Sequence, residues 1–221
     1  MEYREIARAE TPRGEVILRE RVEENAQTVL ELRVNGVFVM DTRETSTEVA
    51  LARAALDLVE DPRRVLVGGL GLGFTLQEVL ADSRVEACTV VELEQAVVDW
   101  MRDGTITHGP GFLADQRITV VVQDVAVALQ EAGERTYDLV LLDVDNGPGY
   151  LVHDANAALY TEPFLVAAHR ATAGMLVIWS ADEALQLGAA LEAVFGNVEV
   201  TSHDVRLGDR AETYWLYSAQ R

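Results

Sequence analysis

The alternation of apolar and polar positions changes character near residue 42. Before that point "GEVILRER", "TVLELRV" and "VFVMDT" alternate with a period of two, which sets one face of a strand on a core and the other in solvent. Asn35-Gly36 separates the last two runs, and because both residues tolerate positive φ they predict a two-residue hairpin. Residues 1–42 therefore read as a small antiparallel β unit, and 43–221 as a second domain. "TSTEVALARAALDLVED" opens that domain as a predicted helix, with Thr45 or Ser46 as its N-cap and Pro62 closing it. From Arg63 the chain repeats strand, turn and helix. "RVLVGG", "EACTVVEL", "ITVVVQD", "YDLVLLDVD" and "GMLVIWSA" are β-rich apolar runs suited to a parallel sheet covered on both faces. "FTLQEVLAD", "LEQAVVDWMRD", "VAVALQEAG" and "TEPFLVAAHRAT" are the helices between them. "NVEVTSHDVRL" and "AETYWLYSAQ", joined by Gly208-Asp209-Arg210, predict a terminal antiparallel pair. The fold class is α/β, a doubly wound sheet ending in an antiparallel hairpin.

Ligands of such sheets sit beyond the carboxyl ends of the strands, at the switch point. The first strand ends in Gly68, Gly69, Gly71 and Gly73, a G-x-G-x-G turn that lets backbone approach a ligand beside a helix N-terminus. It is not the dinucleotide fingerprint, because the third glycine falls one position early and Phe74 takes its place. The second strand ends at Glu92-Leu93, where the carboxylate can accept from both hydroxyls of a ribose. The third ends at Asp124-Val125, where a carboxylate can accept an exocyclic adenine amine. Neither lysine nor arginine stands near these three ends in the sequence. Together they describe a pocket for one adenosine without phosphates. The fourth strand runs into "LLDVDNGPGYLVHDAN", where Asp143 and Asp145 are candidates to orient an attacking amine and take its proton; Tyr150 and His153 follow.

Composition narrows the partners. The basic residues number 18, all of them arginine, against 37 acidic ones, for a formal charge of -19. Such a balance argues against a nucleic-acid backbone or an anionic membrane and permits a cationic substrate. The absence of lysine removes Schiff-base chemistry and a P-loop. Cys88 stands alone, and the N-terminal residues lack the apolar core of a signal peptide, so a reducing, cytoplasmic setting is expected. The four histidines are scattered, so no metal is expected.

The arrangement "VLVGGLGLGFTLQEVL", "VVELEQAVVDW", "VVVQDVAVAL" and "YDLVLLDVDNGP" resembles the spermidine synthase (polyamine aminopropyltransferase) family, a branch of the class I S-adenosylmethionine-dependent methyltransferase fold. The resemblance implies a Rossmann-like, methyltransferase-type sheet behind an N-terminal β unit. It implies that Gly69, Gly71 and Gly73 flank a thioether nucleoside, Glu92 its ribose and Asp124 its adenine. Asp143 matches the first acid of the family's D-S-S-D loop, while the second falls on Asn146 or, displaced by one, on Asp145. The chain departs from the family at two places. Leu72 stands where the family's G-G-G-D-G-G turn carries the acid that holds the aminopropyl amine. "FVMDTRETSTEVA" leaves Asp41, Glu44 and Glu48 without the usual tyrosine and histidine. On this reading the chain binds S-adenosylmethionine, or its decarboxylated form, and alkylates a small acceptor, with methyl transfer favoured because Leu72 removes the amine anchor. Aminopropyl transfer is the alternative, and a non-catalytic nucleoside-binding or assembly protein the second. A homodimer is expected through the exposed edges of the β unit.

Overall fold

The computed structural model describes residues 3–22, 28–144, 148, 151, 154–207 and 210–221. Asp145 and Asn146, and with them Tyr150 and His153, lie outside the described residues.

The N-terminal strands β1 (Tyr3–Thr11), β2 (Gly14–Val22), β3 (Thr28–Val34) and β4 (Val37–Asp41) form an antiparallel sheet in that order. The predicted hairpin is present, with Asn35 at φ 52° and Gly36 at φ 76°, the primed-turn geometry that matches strand twist. Strand β1 is not predicted by the alternation, because its exposed and half-buried positions carry Arg4, Glu5, Arg8 and Glu10 in place of an apolar stripe. Backbone pairing with β2 and ion pairs such as Arg4–Glu20 hold it. Across the next three strands, buried Arg21 donates to Glu31 at 3.1 Å and to Asp41 at 2.8 Å, so the charges are compensated where they leave water.

Helix α1 (Ser46–Asp57) leads into the larger sheet. It ends five residues before Pro62, and Thr45 occupies the N-cap without a side-chain bond. The Glu44 carboxylate instead accepts from the Ser46 amide at 3.0 Å. There follow β5 (Arg64–Gly68), α2 (Phe74–Ala81), β6 (Ala87–Glu92), α3 (Gln95–Asp103), α4 (Gly109–Leu113), β7 (Ile118–Val122), α5 (Val125–Glu131) and β8 (Tyr137–Leu142). A 3-10 segment (Asp154–Tyr160), α6 (Glu162–Ala171), β9 (Thr172–Ser180), α7 (Leu185–Phe195), β10 (Val198–Leu207) and β11 (Arg210–Gln220) complete the chain. The pattern does not predict α4, which is a single short turn, or α7, although Leu187 and Leu191 give α7 a buried i,i+4 pair.

The seven strands lie in the order β10-β11-β9-β8-β5-β6-β7. The five strands from β5 to β9 are parallel and the last two run antiparallel, as the sequence predicts. Strand β5 pairs with both β6 and β8, so the winding reverses there and opens a crevice at the carboxyl ends. Both faces are buried. Val65 and Val67 face a core shared with α1, α2, α3 and the N-terminal sheet, including Leu18, Leu32 and Met40. Leu66 faces the other core, with Leu165, Leu191 and Tyr217. Cys88 is packed in the first core, where burial pushes its thiol up to about 12, so it behaves as a small hydrophobe.

Candidate active site

The crevice holds a cavity lined from four strand ends and from the N-terminal sheet. Its floor is the glycine turn. The Gly69 amide donates to the Val91 carbonyl at 2.8 Å, and the Asp143 amide to the Gly68 carbonyl at 2.9 Å, so the turn is stitched between β6 and β8. Gly69 has φ +93°, and a Cβ there would lie deep inside contact distance of the Asp143 carbonyl oxygen. A Cβ at Gly71 would stand 2.5 Å from Met40 Sδ, so the N-terminal sheet closes over the turn.

Glu92 does two jobs in this turn. Its Oε2 accepts from the Leu70 amide and its Oε1 from the Glu94 amide, both at 2.8 Å. Burial raises its proton affinity above that of an ordinary carboxylate, and the backbone donors oppose that rise. A carboxylate has about four lone-pair sites, so acceptor capacity remains for a ligand's hydroxyls. Asp124 caps α5, accepting from the Ala126 amide at 2.8 Å, and is exposed at the cavity edge. Capping leaves further acceptor sites of this carboxylate facing the cavity. Leu93 and Val125 line the same wall.

Asp143 closes the end of β8. Its Oδ2 accepts from the Thr75 hydroxyl at 2.8 Å, while burial raises its proton affinity above that of an ordinary carboxylate. On the opposite side, Leu32, Val34, Val39 and Met40 bring an apolar wall from the N-terminal sheet, and α1 brings Thr47 and Glu48. The Thr47 hydroxyl donates to Glu48 Oε2 at 2.6 Å. Burial, and then the negative charge of Asp143, push the Glu48 carboxyl up to about 7. Trp179 of β9 completes the wall and packs on Tyr214 with ring centroids 5.0 Å apart.

Gly69, Gly71, Leu93, Glu92, Asp124, Val125 and Asp143 are thus brought together as expected, whereas Leu72 and Gly73 are not among the cavity's lining residues. Leu72 is fully buried in the core. Its amide donates to Met40 Sδ at 3.1 Å and its carbonyl accepts from His108 Nε2 at 2.7 Å. Gly73 is the left-handed N-cap of α2 and faces Met101 and Phe112. Leu72 and Gly73 turn away from the cavity between Gly71 and Phe74, which both line it, so the Leu72 side chain is not placed to meet a ligand's carbon chain.

One residue near the pocket escaped the sequence reading. Arg13, at the tip of the β1–β2 hairpin, donates from Nε to Glu94 Oε1 and from Nη2 to the Leu93 carbonyl, each at 2.8 Å. The expectation that no cation stands near these strand ends is corrected: the folded sheet delivers one from 81 residues away. The hydrogen bond to the Glu94 carboxylate strengthens the guanidinium's hold on its proton.

Glu48 gives the apo-protein a testable pH signature. Its carboxyl is raised from 4.5 to about 7 on folding. The unfolded state therefore binds fewer protons between those values, and stability is present below about 4.5 and lost as pH rises through about 7. Glu48→Gln is expected to remove its share of that loss, at most about 3 kcal/mol at pH 8. Urea titrations at pH 5 and pH 8 measure it; an unchanged difference between the two would show that Glu48 titrates normally. Among the described residues no three His, Cys, Asp or Glu side chains are grouped to hold a metal ion.

A doubly wound sheet with a glycine turn and acids at three further strand ends defines an α/β protein of the Rossmann-like, methyltransferase-type class. Residues 44–192 match the Spermine/spermidine synthase domain, and the chain belongs to that family. Polyamine aminopropyltransferase 1 of Hyperthermus butylicus is 32% identical over 183 residues, covering 77% of this chain and 61% of that protein. The polyamine aminopropyltransferase of Aeropyrum pernix is 32% identical over 128 residues, 53% of this chain and 41% of the relative. The chain thus spans well under the full length of these relatives. A crystal structure of spermidine synthase in complex with the transition-state analogue AdoDATO superposes with a TM-score of 0.81 at 20% identity, over 98% of this chain and 73% of the other. That of spermidine synthase from Thermotoga maritima gives 0.76 at 19% identity, over 98% and 72%. Both establish the fold. No helix among the described residues is long and apolar enough to cross a membrane.

Proposed function

We propose that the chain is an aminopropyltransferase that takes decarboxylated S-adenosylmethionine as donor and a primary amine of the polyamine class as acceptor. The observation that carries this reading is the half-buried carboxylate of Asp143, held by Thr75 at the junction of the glycine turn and the apolar wall. The methylation favoured from Leu72 loses its argument, because that side chain lies in the core. The relatives above are named for aminopropyl transfer, which supports the alternative.

The residues present fit the donor. Gly69 and Gly71 line the cavity without side chains, Glu92 offers acceptors for ribose, and Asp124 offers one for adenine. The bound donor would supply a carbon already activated by its sulfonium, so the protein's contribution is positioning and charge. Asp143 orients the amine and compensates the positive charge that nitrogen carries as it attacks. The apolar wall of Leu32, Val34 and Val39 receives methylene groups and excludes water. The exposed Tyr3, Val22 and Phe38 of the N-terminal sheet favour a homodimer in the same proposal, and a cytoplasmic setting goes with it.

Calorimetric titration of ligand-stripped protein with S-adenosylmethionine, its decarboxylated form and methylthioadenosine tests the reading. Tighter binding of the decarboxylated donor is expected. Glu92→Ala should weaken both decarboxylated donor and methylthioadenosine by on the order of 1–3 kcal/mol, the consequence of leaving polar partners unmatched. Preference for the carboxylated donor returns the protein to methyl transfer, and silence with all three to a non-catalytic role.

A further inference from the structure

Leu72 removes the acid that the family places in its glycine turn, yet beside the apolar wall the cavity still carries the carboxylate of Glu48. Glu48 lies in the first turn of α1, among the residues that join the apolar wall to the strand ends. It is half-buried, its Oε2 is fixed by Thr47, and the charges that act on it are those of Asp143 at the end of β8 and Glu44 just before α1, both negative. A carboxylate crowded by burial and like charge is partly protonated at neutral pH and gives up that proton when a cation arrives.

We propose that Glu48 is the residue that takes the proton from the acceptor's ammonium group, with Asp143 holding the same nitrogen in place. The inference rests on the aminopropyl-transfer reading and adds a base to it. The N–H bond of the ammonium breaks and an O–H bond forms on Glu48, leaving the electron pair on nitrogen. That pair forms the C–N bond as the C–S bond breaks and its electrons return to sulfur, so no oxidant or further reactant is needed.

Two features divide the work between the acids. Asp143 is tied at both backbone and side chain, through Gly68 and Thr75, to the floor of the nucleoside pocket. Glu48 lines the same cavity as the apolar wall that would receive the amine's hydrocarbon, which sets it on the acceptor side. Its carboxyl near 7 is matched to proton transfer at neutral pH, where a base works best when its affinity for the proton is close to the ambient value.

The test uses the full chain, wild type beside Glu48→Gln and Glu48→Asp. Calorimetry of 1,4-diaminobutane binding at pH 7, in buffers of different ionisation enthalpy, counts protons released. Wild type is expected to release a fraction of one proton, Glu48→Asp to release some, and Glu48→Gln to release none. Turnover of Glu48→Gln should fall on the order of 100-fold, the lower end for loss of a positioned base. The acidic limb of its kcat/KM profile should disappear, with methylthioadenosine affinity and thermal midpoint reporting an intact fold. Equal proton release from wild type and Glu48→Gln, or a wild-type pH profile in Glu48→Gln, would overturn the assignment. If wild type binds the nucleoside and the diamine but transfers nothing, the reading of the reaction fails, and proton release still decides Glu48.

Discussion

Asp143→Asn is expected to lower kcat by on the order of 10²–10⁴ while leaving methylthioadenosine affinity within about twofold. The two halves of that expectation come from different parts of the geometry. In the proposed function nucleoside binding draws on Glu92, Asp124 and the glycine turn, whose hydrogen bonds involve the Asp143 backbone but not its carboxylate. An asparagine keeps the volume, keeps an acceptor for Thr75 and keeps the backbone bond to Gly68. It removes the negative charge from a buried position, where charge is poorly screened and acts strongly on a cationic nitrogen. Pre-steady-state transfer from a labelled decarboxylated donor measures the effect. Turnover equal to wild type would reduce Asp143 to a strand-end residue that happens to border the cavity.

Gly69→Ala is the larger structural test, with an expected loss of about 2–5 kcal/mol in unfolding free energy, combining left-handed backbone strain with a clash against fixed atoms. Gly69 sits at φ +93°, and the added methyl meets the carbonyl of Asp143, which cannot retreat because it belongs to the end of a central strand. Relief would require β5 and β8 to separate, breaking the stitch that positions Asp143. Gly36→Ala is the control: it also has positive φ, but nothing lies within 4 Å of the new methyl, so about 1 kcal/mol is expected from conformation alone. Urea unfolding of both variants separates the two contributions. A Gly69→Ala protein as stable as the control would mean that the turn yields easily and does not fix the site.

The sheet was legible because its parallel strands are buried on both faces and so leave continuous apolar runs. The acids at their ends were legible for a related reason: a short polar residue after such a run has few places to be except the strand end. Glu92, Asp124 and Asp143 all follow that logic. Leu72 and Gly73 do not, because within a tight turn neighbouring residues face opposite sides, and spacing alone does not say where the chain leaves the cavity. Strand β1 was hidden by charges on its exposed positions, which partner across the ladder with β2. Arg13 was invisible because its significance depends on where a hairpin tip lands on a distant strand end. Glu48 stood out as an acid in a departing segment, but its raised proton affinity arises from burial in the fold and then from the tertiary approach of Asp143.

The clasp at Arg13 links assembly to occupancy. The Asn35 side chain accepts from the Glu15 amide and donates to the Arg13 carbonyl, both at 3.1 Å, so the tips of the two N-terminal hairpins are fastened to each other. Arg13 in turn grips Leu93 and Glu94, immediately after the ribose-side acid. A contact across so many residues forms after local pairing, since loop closure must precede it. The parallel core can therefore be in place while the rim of the pocket is still open. Any ligand that needs that rim binds the docked form alone, and by mass action it holds the N-terminal sheet down. The sheet acts as a clamp whose latch is engaged by the molecule it encloses.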